Sequence, residues 1–289
     1  NQAGLAALFF KKKNPKVPFL LTLQEGDSEF DIWLRTFYMR PLYKSIYTNA
    51  DYIQAISNFL SDRAKNLGAK CPVEVVPNGV DIDSIASQTT QIIDLLEKKS
   101  QERIVITASR LEKKNGVDIL IRAISELKKN FPNIQVRLFI LGQGSLEKSL
   151  KNLVKKLFLT SSIEFLGHIA SEKVLRYVYQ ADVFVRPSRS EGLGNAFLEA
   201  MFCRVPVIGT PVGGIPDFLK DRETGLFCKV DDPKDLAEKI AFLLEDINLY
   251  RKLSDNGRKL VLEKYQWIGI ASRMKNIFRV LFLSLSIST

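Results

Sequence analysis

The sequence predicts an α/β fold built on parallel sheets and divided into two units. Short β-branched or apolar runs alternate with longer amphipathic stretches, the rhythm of strands covered by helices. Glycine-rich or basic segments follow the ends of successive predicted strands, as ligand-binding turns do in parallel sheets. The length of 289 residues also exceeds the roughly 250 at which a single hydrophobic core tends to split.

In the first hundred residues, strands are predicted at 18–23, 52–56 and 73–76, with helices at 32–48 and 58–67 between them. Residues 3–10 read as the amphipathic end of a helix leading into the first strand. From Arg103 the rhythm is more regular: strand 104–108, helix 117–129, strand 135–141 and helix 146–157. Strands at 163–166, 183–186 and 205–208 follow, each expected to lead into a helix, one of them at 196–202. Residues 233–244 open a helical C-terminal region that ends in a helix over 268–287. The seam falls between Asp81 and Arg103, where the polar, weakly patterned stretch 84–99 follows the turn Pro77-Asn78-Gly79. The expected units are residues 1–98, 99–267 and a terminal helix, 268–289. Only three strands precede the seam, and the first leads into no glycine-rich loop. The N-terminal unit is therefore expected to be truncated, with the natural protein extending before Asn1.

Composition narrows the function. Apolar residues make up 46% and charged residues 26% of the chain, the balance of a globular protein that folds. No stretch approaches the roughly 18 uninterrupted apolar residues of a membrane span. Cys71, Cys203 and Cys228 stand far apart, with His168 as the one histidine, so no zinc-ligand spacing is present. Such cysteines fit a reducing, cytoplasmic setting as small buried apolar residues. The formal net charge of +10 favours anionic partners, and no DNA- or RNA-reading motif accompanies it. Lys11-Lys12-Lys13 and Lys16 are expected to give weak attachment to an anionic membrane face.

Every strand of a parallel sheet ends on one edge, so the residues after successive strands converge. These are Ser109-Arg110-Leu111-Glu112-Lys113-Lys114-Asn115-Gly116, then Gly142-Gln143-Gly144, then Pro187 to Asn195, then Gly209-Thr210-Pro211-Val212-Gly213-Gly214. Together they offer cations, glycine-exposed backbone and carboxylates to one cleft. That set suits a sugar diphosphate. Helix N-termini and glycine turns present N–H groups to phosphate, and Arg110 and Lys114 neutralise charge on a departing diphosphate. Glu191 and Glu199, as acceptor-only carboxylates, grip hydroxylated rings. The bland reading of Arg110 and Lys114 is a solvated helix start.

Competing readings are weaker. Glu147 stands where a dinucleotide fingerprint beginning at Gly142 needs its third glycine, which removes the main support for a dehydrogenase. Asp81-Ile82-Asp83 reads as a turn and helix cap before it reads as a metal site. His168, at another strand end, is more often structural than catalytic.

The run Glu191-Gly192-Leu193-Gly194-Asn195-Ala196-Phe197-Leu198-Glu199-Ala200-Met201 resembles the E-x7-E signature of family 4 retaining glycosyltransferases. Val76-Pro77-Asn78-Gly79-Val80-Asp81 resembles that family's inter-domain turn, Ser109-Arg110-Leu111 its phosphate strand end, and 206–214 its glycine turn. The likeness runs from about Pro18 onward in the family's order. It implies a GT-B fold, two Rossmann-like domains facing across a cleft, with the N-terminal unit on the acceptor side and residues 99–267 holding the donor. The terminal helix would cross back to the first domain. By position, Arg110 and a following lysine would hold the diphosphate, Glu191 the transferred sugar and Glu199 the ribose. Gly192, Leu193, Gly194, Asn195, Gly142 and Gly144 would complete the donor contacts.

The resemblance further implies a nucleotide diphosphate sugar as substrate, no obligatory metal or other cofactor, and a glycan, lipid-linked or small-molecule acceptor. Retention follows a front-face course in which the departing phosphate oxygen takes the acceptor's proton. Two positions depart from the family pattern. Asn115 replaces the usual lysine before Gly116, leaving Lys114 to act from one position earlier, and Gln24 replaces a histidine on the acceptor side. Gln24 hydrogen-bonds a hydroxyl but carries no charge. A non-catalytic nucleotide-sugar-binding subunit is the first alternative, and a nucleotide-sugar epimerase the second. A phosphorylase would need a cofactor-bearing lysine that the sequence does not reveal.

Overall fold

A computed structural model describes residues 2–82, 95–96 and 101–286. The expected seam at 84–99 and Asp83 of the acidic pair lie almost wholly outside those residues. Two parallel sheets are present. The first has the order β1-β2-β3, with β1 at Leu20–Leu23, β2 at Tyr52–Ala55 and β3 at Val73–Val75, in a register that sets Leu20 beside Tyr52 and Ile53 beside Val73. Around it lie α1 (Gln2–Lys13), α2 (Glu29–Thr36), α3 (Arg40–Thr48) and α4 (Asn58–Asn66). Ser28 and Ser57 cap α2 and α4 by accepting from Asp31 N and Leu60 N, satisfying amides that a helix start leaves open.

The second sheet runs β6-β5-β4-β7-β8-β9. Its strands are β4 (Arg103–Ala108), β5 (Val136–Leu141), β6 (Ile163–Gly167), β7 (Val183–Arg186), β8 (Val207–Gly209) and β9 (Leu226–Phe227). The connecting helices are α5 (Val117–Asn130), α6 (Glu147–Lys156), α7 (Ser171–Tyr179) and α8 (Asn195–Phe202), followed by α9 (Pro233–Glu245), α10 (Ile247–Lys264) and α11 (Trp267–Ser286). The chain leaves β4 for β5 on one side and returns to β7 on the other. The carboxyl end of β4 is therefore a topological switch point, the place where open parallel sheets bind ligands.

Two expectations are corrected. The predicted helix 32–48 is interrupted by a 3-10 turn at Phe37–Met39 before Pro41 restarts it in the first turn of α3, where a missing N–H costs nothing. The strand at 205–208 leads into no α-helix. A 3-10 turn at Ile215–Asp217 and the two-residue strand β9 follow instead.

The cores explain the packing. Phe184 of β7, Phe197 of α8 and Phe218 are fully buried and in mutual contact, the first pair edge-to-face and the second tilted, with ring centroids 5.2 and 5.6 Å apart. Each contributes about 2–3 kcal/mol by leaving water. Cys203 and Cys228 are buried in these cores, and burial pushes both thiols up to about 12, so they behave as inert apolar groups. The terminal helix α11 packs Ile270, Ile277 and Leu281 around Val76, with Leu20 and Tyr52 beside them, and so lies against the first sheet. Val80 N bonds the Tyr265 carbonyl at 2.7 Å, fixing the chain after β3 to the start of that crossing. Among the described residues no helix is long and apolar enough to cross a membrane.

Candidate functional site

At the ends of β4, β5 and β6, a cavity of about 520 Å³ is lined by Ser109, Arg110, Gly142, Gly144, His168 and their neighbours. Arg110 is exposed, so its guanidinium is open to an anion. The turn beneath it is braced. Asn115, buried, donates from Nδ2 to the Arg110 carbonyl at 2.6 Å, and Glu112 accepts from the Ser145 hydroxyl at 2.9 Å, a bond that lowers the Glu112 pKa. The asparagine that replaces the family's lysine thus shapes the arginine's turn from within.

Lys114 stands elsewhere. Its Nζ is 2.8 Å from Asp27 Oδ1 in the loop after β1, so the sequence-predicted partner of Arg110 is turned toward the other sheet and does not line the cavity. The backbone of this turn is held by Arg189, which donates to the Lys113 carbonyl at 2.6 Å and to both Asp118 oxygens at 2.9 and 2.8 Å.

Of the two E-x7-E carboxylates, Glu191 pairs with a buried guanidinium and Glu199 lies within reach of its charge. Arg186, at the end of the fully buried strand β7, has a side chain only 8% exposed and pairs through Nη2 with Glu191 Oε2. Glu191 Oε1 accepts from Gly192 N at 3.1 Å. The Arg186 guanidinium also lies 4.9 Å over the Phe197 ring. The carboxylate of Glu199, one turn into α8, receives no hydrogen bond among the described residues, while its backbone carbonyl accepts from Cys203 N at 3.1 Å. Burial raises its pKa, with Arg186 opposing. A half-buried carboxylate with unfilled acceptor capacity is what a ribose diol requires. The sequence reading assigned Glu191 to the cleft alone, whereas its carboxylate also neutralises a buried cation. A charged residue closing an otherwise apolar strand, Val183–Arg186, was the signal for it.

The loop after β1 and the loop before α8 touch. Gln24 is exposed, and its carbonyl and that of Glu25 lie close enough that a Cβ on Gly192 would meet them at 3.3 and 3.2 Å. A Cβ on Gly26 would come within 2.4 Å of Gly192 N, so glycine alone permits this approach of two backbones. Ser190 Oγ bonds the Gly26 carbonyl at 2.9 Å, and Asp217 Oδ2 accepts from Asn58 N at 2.7 Å. Gln24, Gly192 and Glu191 are thereby gathered at one place, with buried Leu193, then Gly194 and exposed Asn195 leading into α8. Arg110, Gly142 and Gly144 form the neighbouring cavity. Glu25, Asp27 and Arg63 joined this site without being singled out by the sequence.

A second cavity, about 410 Å³, lies in the first half between Phe30, Trp33, Arg40, Tyr43, Lys44 and Arg63. Along its lip, Phe30, Trp33, Phe37 and Tyr38 form a run of exposed rings with successive centroids 6.2, 5.1 and 5.3 Å apart. The basic cluster near the N-terminus is partly consumed, because Lys11 Nζ pairs with Asp51 at 2.6 Å. Lys12, Lys13 and Lys16 remain exposed.

The family described as Glycosyl transferases group 1 matches residues 88–260, and that described as Glycosyltransferase Family 4 matches residues 1–84. An uncharacterized glycosyltransferase of Methanocaldococcus jannaschii is 30% identical over 271 residues, covering 93% of this chain and 70% of that protein. Sucrose-phosphate synthase from Thermosynechococcus elongatus superposes with a TM-score of 0.79 at 26% identity, over 92% of this chain and 68% of the synthase. HepE of Anabaena, solved in complex with UDP, superposes with a TM-score of 0.82 at 19% identity, over 96% and 76% of the two chains. That last likeness is one of fold.

Proposed function

The chain belongs to the glycosyl transferases group 1, with their GT-B fold, and from that membership we propose that it moves a hexose-type sugar from a nucleotide diphosphate sugar to an acceptor hydroxyl with retention. The observation that carries this reading is the meeting of two features at one sheet edge. An open cavity with an exposed arginine lies at the switch point, and close to it Glu191 pairs with buried Arg186, whose charge also acts on Glu199.

In this scheme Arg110 and Lys114 hold the diphosphate, and the Gly142 and Gly144 backbone adjoins the nucleotide. Glu191 and the amides of Gly192, Leu193 and Gly194 hold the sugar, Asn195 flanks it at the start of α8, and Glu199 takes the ribose hydroxyls. The bond from the anomeric carbon to phosphate breaks as the acceptor oxygen bonds that carbon on the same face, and the acceptor's proton passes to the leaving phosphate oxygen. Fixed cations neutralise the charge that develops there. No metal or other cofactor is assigned a role.

Gln24 faces the acceptor, which we take to be a glycan or a lipid-linked hydroxyl met at the inner face of a membrane. The exposed aromatic run from Phe30 to Tyr38, together with Lys12, Lys13 and Lys16, supports that location, since amphipathic rings and lysines settle at lipid headgroups. Nucleic acid has no place in the scheme. Gln24 favours one second reading, a non-catalytic nucleotide-sugar-binding subunit. The experiment is transfer from a panel of nucleotide diphosphate sugars to candidate acceptors, with the product's anomeric configuration read by NMR. Nucleoside diphosphate release with a retained anomer is expected. Binding without turnover on any acceptor selects the subunit, and an inverted anomer overturns the mechanism.

A further inference from the structure

The ion pair that joins the two halves uses a side chain assigned above to the donor. Lys114 Nζ lies 2.8 Å from Asp27 Oδ1, and Arg35 pairs with Oδ2 of the same carboxylate. The Asp27 carbonyl accepts from Arg63 Nη2 at 3.0 Å. The hydrogen bonds from Lys114 and Arg35 hold the Asp27 carboxyl down to about 2, so it is an anion at any pH where the fold is used. Lys114 and Asp27 are 26% and 29% exposed, placing the pair within reach of an entering ligand. Arg110, the other cation assigned to the diphosphate, has no such competitor, because its guanidinium makes no ion pair among the described residues.

We propose that Asp27 is a positioning residue of the donor site, a stand-in anion that holds the Lys114 ammonium until the donor's diphosphate displaces it. The inference rests on the reading of Lys114 as a diphosphate contact. A lysine ammonium on its four-carbon stem moves readily between two anions. A diphosphate carries more charge than one carboxylate, and that carboxylate is already shared with Arg35. Donor binding therefore costs one ion pair and leaves the Asp27 carboxylate to Arg35 alone, while the Ser190–Gly26 and Asp217–Asn58 bonds keep the halves together. The loop that relaxes carries Gln24 and Glu25, the acceptor side of the cleft. Donor entry thus loosens the surface that the acceptor must meet, which orders the two substrates.

The test is calorimetric titration of UDP and GDP into the whole chain as wild type, Asp27→Asn and Arg35→Ala, each with and without Lys114→Ala. Asp27→Asn is expected to bind the nucleoside diphosphate roughly two- to fivefold more tightly, the range for a partly exposed ion pair. Arg35→Ala, which leaves the carboxylate to Lys114 alone, is expected to bind more weakly by a similar factor. Both differences vanish in the Lys114→Ala background. With an active donor, Asp27→Asn lowers the donor KM while kcat stays near wild type, a split that a merely structural role does not produce. Unchanged or weaker binding in Asp27→Asn overturns the inference, as does a gain that survives Lys114→Ala. If wild type binds neither UDP nor GDP, the functional reading fails with it. If wild type binds and Arg110→Ala weakens that binding while Asp27→Asn is silent, only this inference fails.

Discussion

Gly213→Ala tests the loop that seats Glu191. Gly213 has a φ of 55°, and a Cβ built on it lies 1.8 Å from the Glu191 carbonyl oxygen and 2.8 Å from its carbon. Ordinary C···O approaches are about 3.3 Å or longer, so the two loops must part by about 1.5 Å. The neighbouring bond from Gly214 N to the Glu191 carbonyl, 3.1 Å long, lies on the same contact and would be lost. An L-residue in the left-handed region costs about 1 kcal/mol, and overpacking of a close contact about 1–3 kcal/mol more. The variant is expected to lose about 2–4 kcal/mol in denaturant unfolding. A shift of about 1 Å in the carboxylate proposed to hold the sugar is expected to reduce turnover about 100-fold. Gly167→Ala is the control, since Gly167 has a φ of 69° and a Cβ there meets nothing within 4 Å. It carries the backbone cost alone, about 1 kcal/mol, with activity retained. Equal losses of stability in the two variants, or normal turnover in Gly213→Ala, would refute the collision.

Arg110→Ala is expected to cost about 2–4 kcal/mol of transition-state stabilisation in kcat/KM with unchanged melting, and Lys114→Ala to lower turnover where Lys113→Ala does not. The reverse ranking of the two lysines moves the phosphate contact by one residue. Glu191→Ala strands the Arg186 guanidinium, only 8% exposed, and should destabilise by about 3 kcal/mol. Glu191→Gln keeps a hydrogen bond, unfolds at higher denaturant and remains impaired in turnover. Burial raises the Glu199 pKa, so its charge is lost on acidification sooner than that of an exposed glutamate. Nucleotide affinity should fall as pH drops through that raised value and become flat in Glu199→Gln. The sign for stability is opposite: the fold holds this proton more tightly than the unfolded chain, so the contribution is full at low pH and fades as pH rises through the folded pKa. Sedimentation with anionic vesicles should be seen at low salt, weaken with added salt and be reduced by Trp33→Ala; its absence at low salt removes the membrane from the scheme.

Much of this was legible in the chain because it is local. The strand at Val183–Arg186 and the helix that opens at Asn195 follow from apolar runs and glycine turns, and the residues that line the cavity follow from the rule that parallel strands end on one edge. What escaped detection was non-local or very short. β9 has two residues, Leu226 and Phe227, and exists as a strand only because β8 offers it an edge. The break at Phe37–Met39 is hidden by an apolar pattern that continues through it. Lys114 and Asp27 are 87 positions apart, and no periodicity links them. The Arg186–Glu191 pair spans only five positions, and a charge ending a buried strand gave notice that it needed a partner. Asn115 looked like a lost cation in the sequence, and its side chain turns out to brace the Arg110 carbonyl.

The cavity at the end of β4 is proposed to receive a nucleotide diphosphate sugar through Arg110. This binding is tested most directly by titrating UDP- and GDP-hexoses into wild type and Arg110→Ala, with melting curves of both. At least one donor is expected to bind wild type, Arg110→Ala to bind it at least about tenfold more weakly, the loss of roughly 1.4 kcal/mol or more, and the two proteins to melt together. Binding that is indifferent to Arg110, or no binding of any such donor by a folded chain, would contradict the proposal.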